Sequence, residues 1–212
     1  MFASSQPKEV VINSMERILG DRHFEHEKGQ TYAKLITADI LQRFSVFKST
    51  HSFAVNVILL KKGTEFLCHS LNSKFLSDIY FREQIETDHW TAIAIIVGMI
   101  NSNRKKHEIN FAPLQKPIQF EATSIFVNNI IGESNFQMSK NIVYEVSQQC
   151  KQKVKEILEK HFGYLQTCLI CKVDSNLYNY TSMIGIDTDG YLGFNVACGK
   201  NLTYYNLFAF SI

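Results

Sequence analysis

"FEHEKGQTY", Phe24 to Tyr32, and "FQMSKNIVY", Phe136 to Tyr144, decide how this chain is read. Each opens on phenylalanine, has a lysine four residues later (Lys28, Lys140) and a tyrosine four after that (Tyr32, Tyr144), and the two lie 112 residues apart (136 − 24). Upstream, Ile18-Leu19-Gly20 falls on Ile130-Ile131-Gly132 at the same offset. Downstream the offset becomes 111 where Lys61 meets Lys172 (172 − 61). It returns to 112 at two apolar runs, "TAIAIIVGMI" (Thr91–Ile100) and "TYYNLFAFSI" (Thr203–Ile212). A period this long does not suit a solenoid and fits a duplicated domain. The expected organisation is a first domain over residues 1–100, a connector over 101–123 and a second domain over 124–212.

Both copies read as two helices followed by four strands. Val11, Met15, Ile18 and Leu19 recur at helical spacing over Pro7–Gly20, with Gly20 where a C-cap belongs. The counterpart runs to Gly132 with Phe126, Val127, Ile130 and Ile131. The second helix spans Lys28–Phe47 with Tyr32, Leu35, Ile36, Ile40, Phe44 and Phe47 on one stripe; its counterpart uses Val143, Val146, Cys150, Val154 and Ile157. Strands are expected at Phe53–Leu60, Phe66–Leu71, Ile79–Ile85 and Thr91–Met99, then at Tyr164–Lys172, Leu177–Ile184, Tyr191–Ala197 and Thr203–Ser211. Turn residues such as Lys61-Lys62-Gly63, Asp174-Ser175-Asn176 and Gly199-Lys200-Asn201 separate them. The three prolines, Pro7, Pro113 and Pro117, are read as lying outside every element, the last two marking the connector. That connector could reach roughly 75 Å at about 3.3 Å per residue, and Phe111, Leu114, Ile118 and Phe120 point to a second half that lies against the body.

Composition narrows the class. With 212 residues, 45% hydrophobic and 20% charged, the chain is expected to fold as an ordinary soluble protein. No apolar run reaches membrane-spanning length. The first eleven residues lack the basic and apolar regions of a secretory signal, so a cytoplasmic location is expected. Five cysteines make an odd, sparse set that suits free thiols better than a disulfide framework, which leaves the sequons at Asn179 and Asn201 idle. Lysine plus arginine balance aspartate plus glutamate over residues 1–100 (11 and 11) and 124–212 (7 and 7). The net charge of +2 therefore sits in 101–123 (4 and 2). Arg104-Lys105-Lys106-His107 reads as a solvated connector, and no concentrated basic face points to nucleic acid.

Chemistry-bearing candidates are few. Cys168-Leu-Ile-Cys171 has the spacing of a zinc or redox pair but falls in a β-type run, where residues three apart point to opposite faces. His23, Glu25, His26 and Glu27 cluster at the joint between two helices and read as a solvated turn. Asp187-Thr-Asp189-Gly190 opens like a calcium loop, yet no glutamate closes it, and a hairpin turn is expected. Phosphate-loop, dinucleotide, nucleophile-elbow and zinc-protease motifs are all missing from the sequence. No catalytic residue, cofactor or metal is expected.

The repeated unit resembles the Tctex-type dynein light chains. The second copy carries the resemblance best, in "FQMSK" (Phe136–Lys140), "YLQTCLICK" (Tyr164–Lys172) and the closing "LFAFSI"; the first has "FEHEK" and "VGMI" in those places. The resemblance implies an α+β fold of two such domains, each two helices followed by a four-stranded antiparallel sheet, joined as an intramolecular pseudo-dimer with exchanged strands. It implies a non-catalytic subunit that binds dynein intermediate chains, with other light chains and the heavy chain as indirect neighbours. It also implies a place in the cytoplasm and cytoskeleton, in a ciliary axoneme, with neither nucleic acid nor membrane as partner. The family's exchanged second strands make Phe66, Leu67, Cys68, His69 and Ser70, with Tyr178, Asn179, Tyr180, Thr181 and Ser182, the expected partner-binding residues. One alternative is a peptide-binding scaffold of a ciliary or cytoskeletal complex outside dynein. A more remote one is a double-hotdog thioesterase, whose main helix lies within its sheet order, whereas both helices here precede the strands.

Overall fold

The computed structural model describes residues 6–47, 51–72, 79–100, 112–131, 140–158, 162–172, 180–185, 190–198 and 201–211. The fold is α+β: α1 (Gln6–Leu19), α2 (His26–Arg43), β1 (His51–Lys61), β2 (Phe66–Asn72), β3 (Ile79–Glu86) and β4 (Trp90–Ile100). These are followed by α3 (Ala112–Phe126), α4 (Lys140–Leu158), β5 (Phe162–Lys172), β6 (Tyr180–Gly185), β7 (Gly190–Cys198) and β8 (Asn201–Ser211).

The strands form two four-stranded sheets, ordered β3-β4-β1-β6 and β2-β5-β8-β7, with every pairing antiparallel. Three strands of each sheet come from one half of the sequence and the fourth from the other half. The compact units are accordingly discontinuous. The first comprises Met1–Thr64, Ser77–Asn103 and Ser175–Asp187; the second comprises Glu65–Leu76, Arg104–Asp174 and Thr188–Ile212. Contiguous domains over 1–100 and 124–212 do not describe this, because the second strand of each half leaves its own unit.

In the first unit, α1 and α2 bury Val11, Met15, Ile18, Leu19, Tyr32, Ala33, Ile36 and Ile40 against Phe53, Val55, Val57 and Leu59 of β1 and Ala92, Ala94 and Ile96 of β4. Leu35, expected in the stripe, is half exposed, whereas Thr37 turns inward and bonds the Ala33 carbonyl at 2.8 Å. Gly20 closes α1 at φ +38°, a left-handed conformation that favours glycine, and its N–H bonds the Glu16 carbonyl. Trp90, 1% exposed, locks the start of β4 to the α1–α2 joint. Its Nε1–H donates to the Arg22 carbonyl at 2.8 Å, while its ring packs on Phe24 and Tyr32 at 4.6 and 5.7 Å.

In the second unit, Ile118, Ala122 and Phe126 of α3 and Val143, Val146, Cys150, Val154 and Leu158 of α4 enclose Tyr205 and Leu207 of β8. α3 begins inside the segment expected to be connector, and Pro113 and Pro117 lie within it. Pro7 likewise lies in α1. Pro7 and Pro113 occupy first turns, where a missing N–H costs little; Pro117 leaves the Pro113 carbonyl without its helical donor. Burial of Ile118, Ala122 and Phe126 holds the helix nevertheless. Phe120, by contrast, is exposed.

The two sheets share one register. Phe162 faces Ser211 as His51 faces Ile100, and Gly190 faces Ala209 as Ile79 faces Gly98, all at an offset of 111 (162 − 51, 190 − 79). The 112-residue match at the two endings is thus one residue out of step, enough to put every side chain on the wrong face. In the second helices the buried hydroxyls set an offset of 110 (147 − 37). Ser147 bonds the Val143 carbonyl as Thr37 bonds that of Ala33. Tyr32 and Tyr144 are consequently not equivalent, the first being buried and the second half exposed.

Candidate peptide-binding strand edges

β2 and β6 hold equivalent places. Leu59 of β1 faces Tyr180, and its counterpart Ile170 (59 + 111) faces Leu67; Ala54 faces Gly185, and its counterpart Leu165 faces Asn72. Each strand ends its sheet, so among the described residues no strand pairs with its outer edge. A terminal strand presents a row of backbone N–H and C=O groups, which is the template for adding an extended peptide.

Of the ten expected binding residues, Phe66, Leu67, Cys68, His69 and Ser70 all fall in β2 and all are half-buried. Leu67 packs against the α3–α4 core. The His69 ring meets the edge of Tyr144, on α4, at 5.2 Å. On the other face Ser70 Oγ lies 3.2 Å from Thr167 Oγ1, its cross-strand neighbour. Tyr180, Thr181 and Ser182 fall in β6 opposite Leu59, Ile58 and Val57. Tyr178 and Asn179 lie outside the described residues, as do Asp187 and Asp189.

None of the described β2 or β6 residues carries a formal charge. The contact of Tyr144 with β2 was not legible in the sequence: its helix pattern assigns it only to the face away from the apolar stripe.

The other candidates separate. Cys168 and Cys171 are both in β5, opposite Tyr205 and Leu202 of β8. His23, Glu25, His26 and Glu27 are all exposed at the joint between α1 and α2, with the His23 and His89 rings 4.2 Å apart. Among the described residues no three His, Cys, Asp or Glu side chains gather to hold a metal ion, and no helix is long and apolar enough to cross a membrane.

A cavity of about 330 Å³ between α1 and α2 is lined by Arg17, Leu35, Asp39 and Gln42 among others. Asp39 is its electrostatic centre, 2.6 Å from Arg17 and 3.0 Å from Arg43. Partial burial pushes its carboxyl pKa up, but hydrogen bonds from Arg17, Ser14 and Arg43 together outweigh this and hold it below the usual value.

No family model matches this chain, and no curated protein is significantly similar to it.

Proposed function

We propose that the chain is a non-catalytic, tandem light chain of the Tctex type that binds dynein intermediate-chain segments and helps assemble a microtubule motor, in a ciliary axoneme. The observation that supports it is the reciprocal placement of β2 and β6, each in the sheet of the other half and at the same register. That is the arrangement the sequence resemblance implies for an exchanged-strand dimer, here within one chain as an intramolecular pseudo-dimer. Tethering makes such pairing independent of protein concentration. An extended intermediate-chain segment adds to the outer edge of β2 or β6, backbone hydrogen bonds giving affinity and neighbouring side chains giving selectivity. The two edges differ in sequence, "FLCHS" against "YTSMI", so each selects its own segment.

The test is affinity capture of the tagged protein from its native cells, with mass spectrometry scored for dynein intermediate and heavy chains. Both are expected in comparable amounts, with other light chains alongside, and substitutions within Tyr180–Ser182 or Phe66–Ser70 release them. A stable set without dynein subunits moves the function to a scaffold outside the motor. Turnover of acyl-CoA by the purified chain would instead favour the thioesterase reading.

A further inference from the structure

Four strands end the two sheets: β2 and β6, and at the far ends β3 and β7. β3 is protected in the way natural edge strands are. Arg82, Gln84 and Glu86 are exposed along it, and Glu83 pairs with Lys8 of α1 at 3.5 Å. β7 occupies the equivalent position at the shared register but has Gly193 where β3 has Arg82, Phe194 where it has Glu83, and Ala197 where it has Glu86 (offset 111, 193 − 82). Over its nine residues, "GYLGFNVAC", β7 has no charged residue and no proline. Among the described residues no strand pairs with its outer edge.

We propose that the β7 edge is a self-association surface, pairing with β7 of a second copy of this chain, antiparallel about a two-fold axis at Phe194. This stands independently of the light-chain reading. A two-fold contact needs a surface complementary to itself. Antiparallel pairing about Phe194 sets Leu192 opposite Val196, Tyr191 opposite Ala197 and Gly193 opposite Asn195, with no like charges facing. A charged partner segment finds no opposite charge on this strand. The same two-fold pairing joins two four-stranded sheets into one of eight.

The experiment is sedimentation equilibrium of the full chain from low to high micromolar concentration, with hydrogen exchange read by mass spectrometry. The expected result is a reversible equilibrium between the 24.4 kDa monomer and a dimer. Exchange in β7, but not in β3, slows as concentration rises. Gly193→Arg gives β7 the residue β3 carries there and places two arginines diagonally across the axis, weakening dimerisation by roughly tenfold or more. Asn195→Lys, also near the axis, does the same should the first variant fail to fold. Two results overturn the proposal. One is a monomer over the whole range with β7 exchange unchanged. The other is a dimer that both variants leave intact, which would mean that chains trade β2 and β6 between molecules and would also count against intramolecular pairing.

Discussion

The two units solve the same packing problem with different chemistry. In the first, the face of the sheet turned toward the helices carries Val55 and Ala94, and α1 is tied to α2 by the Arg17–Asp39 ion pair. In the second, the equivalent strand positions hold Gln166 and Tyr205. Gln166 donates to the Ser147 carbonyl of α4 and accepts from the Tyr205 hydroxyl at 3.2 Å, all three residues fully buried. Between the end of the second unit's first helical segment and α4, Asn129 and Gln149 are joined by a 3.1 Å amide hydrogen bond in place of an ion pair. The register tolerates either solution because a buried polar group costs little once every partner is present. Both cores are apolar; the first adds an ion pair to that contact, the second a neutral hydrogen-bond network.

The largest effect is expected at Trp90, whose counterpart in β8 is Asn201 and which therefore anchors only the first unit. Trp90→Ala should lower stability by about 3–5 kcal/mol, from the lost ring packing and the lost hydrogen bond to the Arg22 carbonyl. Urea unfolding should then resolve an early transition that carries the probes of α1, α2 and β1. A single, unseparated transition would mean that the units share one cooperative core.

Converting the second unit toward the first comes next. Gln166→Val takes from the buried Tyr205 hydroxyl its Gln166 acceptor, leaves the Ser147 carbonyl with its helical bond alone, and should cost about 1–3 kcal/mol. Adding Tyr205→Phe removes that hydroxyl and should recover part of the loss, a coupling that a double-mutant cycle measures. Strict additivity would remove the network from the account.

The smallest effect concerns pH and should be confined to the first unit. The folded-state pKa of Asp39 is depressed. Its contribution is therefore present above the unfolded carboxylate value of about 3.9 and is lost as pH falls through the lower folded value. Asp39→Asn should cost about 1 kcal/mol at neutral pH and flatten that acid limb. The Asn129–Gln149 tie has no titrating group, so Gln149→Ala should leave the pH profile unchanged.

Much of this was readable in the sequence and some could not be. Apolar spacing located α1, α2 and α4, and Gly20 and Gly63 marked a helix end and a turn at positive φ. Alternation and turn residues found the strands to within a few residues. Periodicity says nothing about which strand pairs with which. That β2 lies on β5 and β6 on β1 was implied by family resemblance alone. The two apolar endings both begin with threonine and end with isoleucine, and this coincidence of identities hid the one-residue shift that the pairing fixes. A helix leading up to Gly132 was expected, but its start at Ala112 was concealed because proline reads as a breaker. Three buried side chains on one face, Ile118, Ala122 and Phe126, outweigh the single hydrogen bond that Pro117 removes.

The central claim is that the second strands pair with the opposite half of the same chain, and one covalent test reaches it. Cys68 of β2 lies directly opposite Leu169 of β5. Facing positions in antiparallel strands are about 4.5–5.5 Å apart at Cα, within disulfide reach. Oxidised Leu169→Cys protein should run on a non-reducing denaturing gel as one chain closed into a loop, and its peptide map should show Cys68 joined to the introduced cysteine. A covalent dimer through the same two positions, or no bond between Cys68 and the introduced cysteine at all, would contradict it.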